Sequence, residues 1–213
     1  MLLRTQQQIN LNLPAENTLP IHVLRNVSVE NLASYIELLS SRESALNEIG
    51  RMSMKVFSNS SPGNDLVIFG EWVSEKALRD YEEDVIKQGR ASKIGLKFNT
   101  YSLLYHLTFH RIVDSIPKSE GFYLMSTYKI DERDNYIAKF KEIFTNEVLK
   151  QLGLCEIEMY LKETDDNSAV MLSHWKSEEH FNNYSDSDFS KRTFDKFHLE
   201  PPKNTILNLV YFC

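Results

Sequence analysis

The stretch GEWVSEKALRDY at residues 70–81 returns at 173–184 as SHWKSEEHFNNY. Trp72, Ser74, Glu75, Leu78 and Tyr81 are matched by Trp175, Ser177, Glu178, Phe181 and Tyr184, each 103 positions on. Upstream, Gly50 and Gly153 keep the same offset of 103, and downstream Asn99-Thr100 meets Asn204-Thr205 at 105. A drift of two residues is one small loop insertion. A repeat with a period near half of the 213 residues limits the fold more than composition can. It implies two copies of one small unit, joined by a polar, proline-bearing linker in VDSIPKSEG, 113–121.

Each copy reads in one order. IHVLRNV (21–27) is short and branched, hence a strand. Leu32, Ile36, Leu39, Leu46 and Ile49 then fall at helical spacing, with Gly50 as C-cap. MSMKVF (52–57) and DLVIFGEW (65–72) read as a hairpin around SNSSPGN. Ser74 is placed to cap a second helix with Leu78, Tyr81 and Val85 on its buried side, and YSLLYHLTFHRI (101–112) is the last strand. The second copy repeats this from GFYLMSTYKI, through Ile137, Phe140, Phe144, Val148 and Leu152, to CEIEMYLK, AVMLSHW, a helix from Ser177, and TILNLVYF. The order β-α-β-β-α-β is the ferredoxin-like arrangement. The expected organisation is an extension (1–20), a first domain (21–112), a linker (113–120) and a second domain (121–213). A four-stranded sheet with helices on one side leaves its other face bare. Two copies in one chain can cover those faces mutually. The expected fold class is therefore α+β, two tandem ferredoxin-like units packed sheet to sheet as an intrachain pseudo-dimer. The outer helices leave room for a further homodimer.

Composition adds exclusions. Apolar content of 42% and charged content of 25% are those of a globular chain, and a net charge of −6 offers nothing to a phosphate backbone or an anionic membrane. With no long apolar run and no signal-peptide core at the N-terminus, the cytoplasm is the expected compartment. Cys155 and Cys213 are then expected as free thiols.

These residues resemble a known family, the antibiotic biosynthesis monooxygenase-like proteins or dimeric α+β barrels. Glu48-Ile49-Gly50 is similar to its Glu-x-Gly before the second strand. Gly70-Glu71-Trp72-Val73-Ser74-Glu75-Lys76-Ala77-Leu78 is similar to its Glu-x-Trp-x-Ser-x-x-Ala-Leu. The second copy is looser at Gln151-Leu152-Gly153, and from Trp175-Lys176-Ser177 to Ser187-Asp188-Phe189 it resembles the haem-degrading branch. The family holds cofactor-independent oxygenases of aromatic phenols, haem-degrading enzymes, and members without known activity. The resemblance implies a tryptophan at the third strand's end, matched by Trp72 and Trp175, and a first-strand asparagine, matched by Asn26 but replaced around Thr127. The haem branch's second-helix histidine has no counterpart. Tyr81 is followed by acidic residues, and Thr193 or Phe194 stands near the ligand position.

The expected function is oxidation of an aromatic or polycyclic, phenol-type molecule in a pocket between sheet and helices, with no cofactor and no metal. Asn26, Trp72 and Tyr81 are the catalytic contacts, and Glu71, His174, Trp175 and Tyr184 bind substrate. The alternatives are a non-catalytic ligand- or protein-binding module and, third, haem degradation. Each residue also has a plain reading. The tryptophans fix helix against sheet, the tyrosines are core groups with a bonded hydroxyl, and His174 is a strand-surface histidine beside Trp175. His106 and His110 share a strand face but stand about 13 Å apart, too far for one metal ion. His180 and His198 read as solvated. DYEEDV (80–85) and ETDD (163–166) read as a solvated helix face and a hairpin tip. GRASKIGLK (89–97) misses the phosphate-loop spacing.

Overall fold

The computed structural model describes residues 20–59, 65–87, 103–130, 132–163, 167–197 and 200–213. The N-terminal extension, most of the SNSSPGN turn, GRASKIGLK, Asn99-Thr100, three residues of ETDD and His198 lie outside these residues.

The first copy contributes β1 (Ile21–Ser28), α1 (Leu32–Ser41), α2 (Glu43–Glu48), β2 (Arg51–Asn59), β3 (Asp65–Trp72), α3 (Glu75–Lys87) and β4 (Leu103–Ile112). The second contributes β5 (Phe122–Lys129), α4 (Arg133–Ile143), α5 (Asn146–Gln151), β6 (Leu154–Lys162), β7 (Ser168–Trp175), α6 (Glu178–Asp186), α7 (Asp188–Phe197) and β8 (Lys203–Phe212). The helix expected from Leu32 to Ile49 is broken at Arg42 (φ −112°, ψ 5°). Ser40 and Ser41 turn their hydroxyls back onto the carbonyls of Ile36 and Leu38, which weakens the helix there. Leu46 stays in the core, whereas Ile49, expected on the buried side, is 46% exposed. The second copy breaks at the same place, where Thr145 caps α5. Gly50 (φ +105°) and Gly153 (φ +77°) occupy the same left-handed position after these helices. A Cβ would meet Val73 at 2.7 Å in one and His180 at 2.2 Å in the other. Ser74 caps α3 and Ser177 caps α6, as their spacing predicts.

The eight strands close into one antiparallel barrel in the order β1-β3-β2-β8-β5-β7-β6-β4. Each copy thus supplies a sheet of ferredoxin-like order. The copies join by their edges as well as by their faces, through β2 on β8 and β4 on β6. Closure removes every open strand edge that a separate copy would present. Along each strand the side chains alternate between the barrel interior and the helices. Phe57, Val67, Phe69, Tyr123, Tyr160 and Leu172 share the inner cluster, while Leu66, Ile68, Met171 and Trp175 pack under helices.

Alternating directions around the ring make β1 and β5 run the same way, so equivalent positions of the copies meet at the same barrel end. Lys55 and Glu158 are equivalents, 103 apart, and they face each other across the centre with Nζ 2.7 Å from Oε2. A symmetric homodimer would set like charge against like at this point. Fusion allows the two copies to differ there.

Chains cut at 116/117 should therefore fail to behave as monomers. Each half exposes two strand edges and a bare inner face. When mixed, the halves should re-form a one-to-one complex, because self-pairing places Lys55 against Lys55 or Glu158 against Glu158. Size-exclusion chromatography with light scattering checks this. Two well-behaved monomeric halves contradict the account.

Candidate functional site

Among the described residues, this alternation leaves internal space at three places. One lies between the first copy's sheet and its helices, one at the same place in the second copy, and one inside the barrel at the Lys55 end.

The first copy's pocket, about 70 Å³, is lined by Val23, Arg25, Val27, Tyr35, Arg51, Gly70, Trp72 and Tyr81 among others. Trp72 ends β3 and stacks at a tilt on Tyr81 of α3, with centroids 5.2 Å apart and planes at 33°. Burial pushes the Tyr81 hydroxyl's pKa up, and the nearby Arg25 and Arg51 oppose that rise. Tyr35 of α1 is raised by burial too, again opposed by both arginines. Arg25 is half-buried and pairs with Glu82 of α3, which also accepts from Arg79 Nη1 at 2.8 Å. Glu82 has no exposed surface. The acidic run DYEEDV is thus only partly the solvated face expected, because Glu82 turns inward to hold Arg25. Arg51, 3% exposed, begins β2. Its Nε and Nη2 donate to Asn47 Oδ1 (3.3 and 3.1 Å), and Nη2 also to the Glu43 carbonyl (3.4 Å). Its Nη1 is buried without a hydrogen-bond partner among the described residues.

The second copy's pocket, about 50 Å³, repeats the same framework with Tyr136, Trp175 and Tyr184. Trp175 and Tyr184 lie 5.3 Å apart at 31°, nearly the geometry of Trp72 and Tyr81. Trp175 Nε1 donates to Ser173 Oγ at 2.9 Å, and burial pushes Tyr184 up to about 12. Val23, Arg25 and Tyr35 correspond to Leu124, Ser126 and Tyr136 at an offset of 101. Arg51, Gly70 and Tyr81 correspond to Leu154, Ser173 and Tyr184 at 103. All of these line the two pockets. Both arginines become uncharged, and two hydroxyls are gained where Val27 becomes Tyr128 and Gly70 becomes Ser173.

The barrel-end cavity is about 130 Å³ and is lined by His22, Ser53, Lys55, Glu71, His110, Glu158 and Tyr160 among others. Glu71 accepts from Ser53 Oγ at 3.1 Å and lies 3.7 Å from His22 Nε2. His110 Nε2 contacts Glu156 Oε1 at 3.0 Å, and Lys118 of the linker binds the same carboxylate. His110, Glu156 and Glu158 bring potential ligand atoms within 4.8 Å of one another. Lys55 and Lys118 already supply cations to these carboxylates, so the cluster is an internally balanced ion network. Although burial pushes the Glu156 carboxyl up, the His110 hydrogen bond, Lys55 and Lys118 hold it at about 2. His110 rises, first through its bond to Glu156, against a counter-effect of burial.

The structure brings together Trp72 with Tyr81 and Trp175 with Tyr184. It separates the rest. Glu71 and His174 each adjoin a tryptophan in sequence but point to the other sheet face. His174 lies at the barrel end, stacked on Tyr123 with centroids 4.1 Å apart, its Nε2 donating to the Glu120 carbonyl at 2.6 Å. Asn26 pairs with Val67 on the barrel face and is exposed, away from the pocket. Strand alternation gives its expected place to Arg25. His106 and His110 do not share a face, because a bulge between Leu107 and Phe109 shifts the register, with Thr108 Oγ1 bonded to the Met159 carbonyl. His106 is left exposed near Glu163. Cys155 and Cys213 are free, as expected, and no described helix is long and apolar enough to cross a membrane.

Comparison with known proteins supports the fold. Residues 123–196 match the family model described as antibiotic biosynthesis monooxygenase. No curated protein matches. Among solved structures, a candidate monooxygenase from Lactobacillus acidophilus superposes with TM-score 0.68 at 11% identity, covering 91% of this chain and 95% of its own. An anthrone oxidase-like protein gives 0.62 at 15%, covering 91% and 92%. A haem-degrading enzyme from Listeria monocytogenes gives 0.50 at 14%, covering 88% and 98%. At these identities the likeness establishes the fold alone.

The ion network makes a prediction about acid. A carboxyl held at about 2, from roughly 4.3 when unfolded, stabilises the fold above the unfolded value and loses that effect as pH falls toward 2. The effect is on the order of 3 kcal/mol before solvent screening. Urea midpoints measured from pH 6 to pH 2 should fall steeply below about 4 in the wild type. Glu156→Gln should be less stable at pH 6 and show a shallower fall.

Proposed function

We propose that the chain is a monooxygenase acting on an aromatic, phenol-type molecule held in the first copy's pocket, with the substrate supplying the electrons. The observation that carries this reading is the pair of guanidinium groups beside Trp72, Tyr35 and Tyr81 in a pocket that is otherwise apolar. A cation in such a site favours the ionised phenol and so lowers its pKa on binding. The phenolate places negative charge on a ring carbon, from which dioxygen takes electrons. A bond forms between that carbon and one oxygen atom, which becomes a new carbonyl. The other oxygen leaves as water with the phenolic and ring-carbon hydrogens, giving a quinone. The protein's part is to hold the anion with Arg25 and the Tyr81 hydroxyl and to exclude water. The likeness to an anthrone oxidase-like structure agrees with this chemistry. A cavity near 70 Å³ is about half the roughly 150 Å³ that holds benzene, so even a single ring requires α1 and α3 to part from the sheet, and a polycycle requires more.

One observation favours a second reading, a binding module without turnover. The Trp72–Tyr81 pair recurs with the same geometry in a copy that lacks the arginines. The pair is therefore part of the fold's own packing, and the arginines give the first pocket the charge that the second lacks. Haem degradation gains no support from the pockets, since no histidine lines either of them among the described residues.

Oxygen uptake with a panel of phenols and anthrones separates the readings. Tyr81→Phe should lower turnover by roughly 10²-fold while the melting temperature is kept. Tyr184→Phe and Asn26→Ala should leave turnover unchanged. Binding of a phenol with no oxygen consumed leaves the module.

A further inference from the structure

We infer that the first copy's pocket takes a small aromatic carboxylic acid, with its carboxylate on Arg51. The inference rests on the aromatic pocket described above and names the ligand class that the site selects.

Among the buried charged side chains of the described structure, Glu82, Glu156 and Glu158 are ion-paired and Arg51 is not. It is 3% exposed, yet no described carboxylate lies within ion-pair distance of it. Its Nε and Nη2 satisfy themselves on an amide oxygen and a backbone carbonyl, both neutral. Its Nη1 is buried with no partner among the described residues. A guanidinium withdrawn from water without an anion is costly, and a buried donor left unused adds to that cost. Neither cost is inherent in the fold. The equivalent position in the second copy is Leu154, 1% exposed, in the same strand and beside the same kind of pocket. Arg25 is no parallel case, because Glu82 matches its charge.

An anionic ligand resolves the imbalance, and the rest of the lining defines its body. Val23, Tyr35, Met54, Trp72 and Leu78 present ring-sized apolar surface and few donors. Inorganic phosphate or sulfate would leave most of its oxygens unsatisfied there. A carboxylate carried on an aromatic ring places its charge on the guanidinium and its face against Trp72.

Isothermal titration of the full chain tests this with 4-hydroxybenzoate and its uncharged amide, 4-hydroxybenzamide. The acid should bind once per chain and about tenfold or more tighter than the amide. Arg51→Leu, which copies the second repeat, should abolish that preference, keep amide binding, and melt at a higher temperature than ligand-free wild type. Arg51→Met serves as the second uncharged variant should Arg51→Leu fold poorly. Equal affinity for acid and amide, an acid preference that survives removal of Arg51, or full competition by sodium sulfate overturns the inference. Arg51-dependent binding of the acid without oxygen uptake upholds it and removes the oxygenase. Turnover of uncharged phenols, together with an affinity for the acid that ignores Arg51, upholds the oxygenase and overturns the inference.

Discussion

A four-stranded sheet covered by helices on one side has two open edges and one bare face, and the architecture answers all three at once. The seams of β2 on β8 and β4 on β6 pair the edges, and closing the ring turns both bare faces into one interior. Everything else is placed by that closure. It decides which face of each strand meets a helix and which meets the opposite copy. It also sends equivalent residues of the two copies to the same end, where Lys55 can meet Glu158. The duplicated chain is thereby freed from the like-against-like contacts that a symmetric dimer imposes at its axis.

The same duplication is an internal control on function. Where both copies keep a feature, packing is sufficient explanation. The tryptophan–tyrosine pair, the left-handed glycine and the serine cap all recur, and they belong to the unit. Where one copy departs, the fold did not require the feature. Arg25 and Arg51 against Ser126 and Leu154 are the departures that change the charge of a pocket, and the one with no counter-ion among the described residues is Arg51.

Much of this was legible in the sequence because it is local or repeated. The strands lie where branched residues cluster, and the offset of 103 aligns the two units without reference to coordinates. Arg25 was also visible in principle, since alternation in IHVLRNV puts it on the face of Val23 and Val27. The family's asparagine drew attention to the neighbouring Asn26, on the other face. What escaped depends on distant pairing or a single-residue shift. The bulge at Thr108 reverses the facing of His110 and cannot be read from a strand pattern. Glu82 looks solvated within its acidic run until Arg25 is brought against it across 57 residues. The barrel-end network joins the linker's Lys118 to β6 and β2 to β6, contacts fixed only by the closed ring.

The two pockets share a framework, and only the first is chemically equipped for an anion. X-ray diffraction from crystals of the full chain grown with 4-hydroxybenzoate tests this difference most directly. The account predicts a single ligand between Trp72 and Arg51, its carboxylate on Nη1, with the second copy's pocket and the barrel-end cavity free of it. Density for the ligand in the Trp175 pocket or inside the barrel, or an Arg51 side chain paired with a carboxylate of the protein itself, would contradict it.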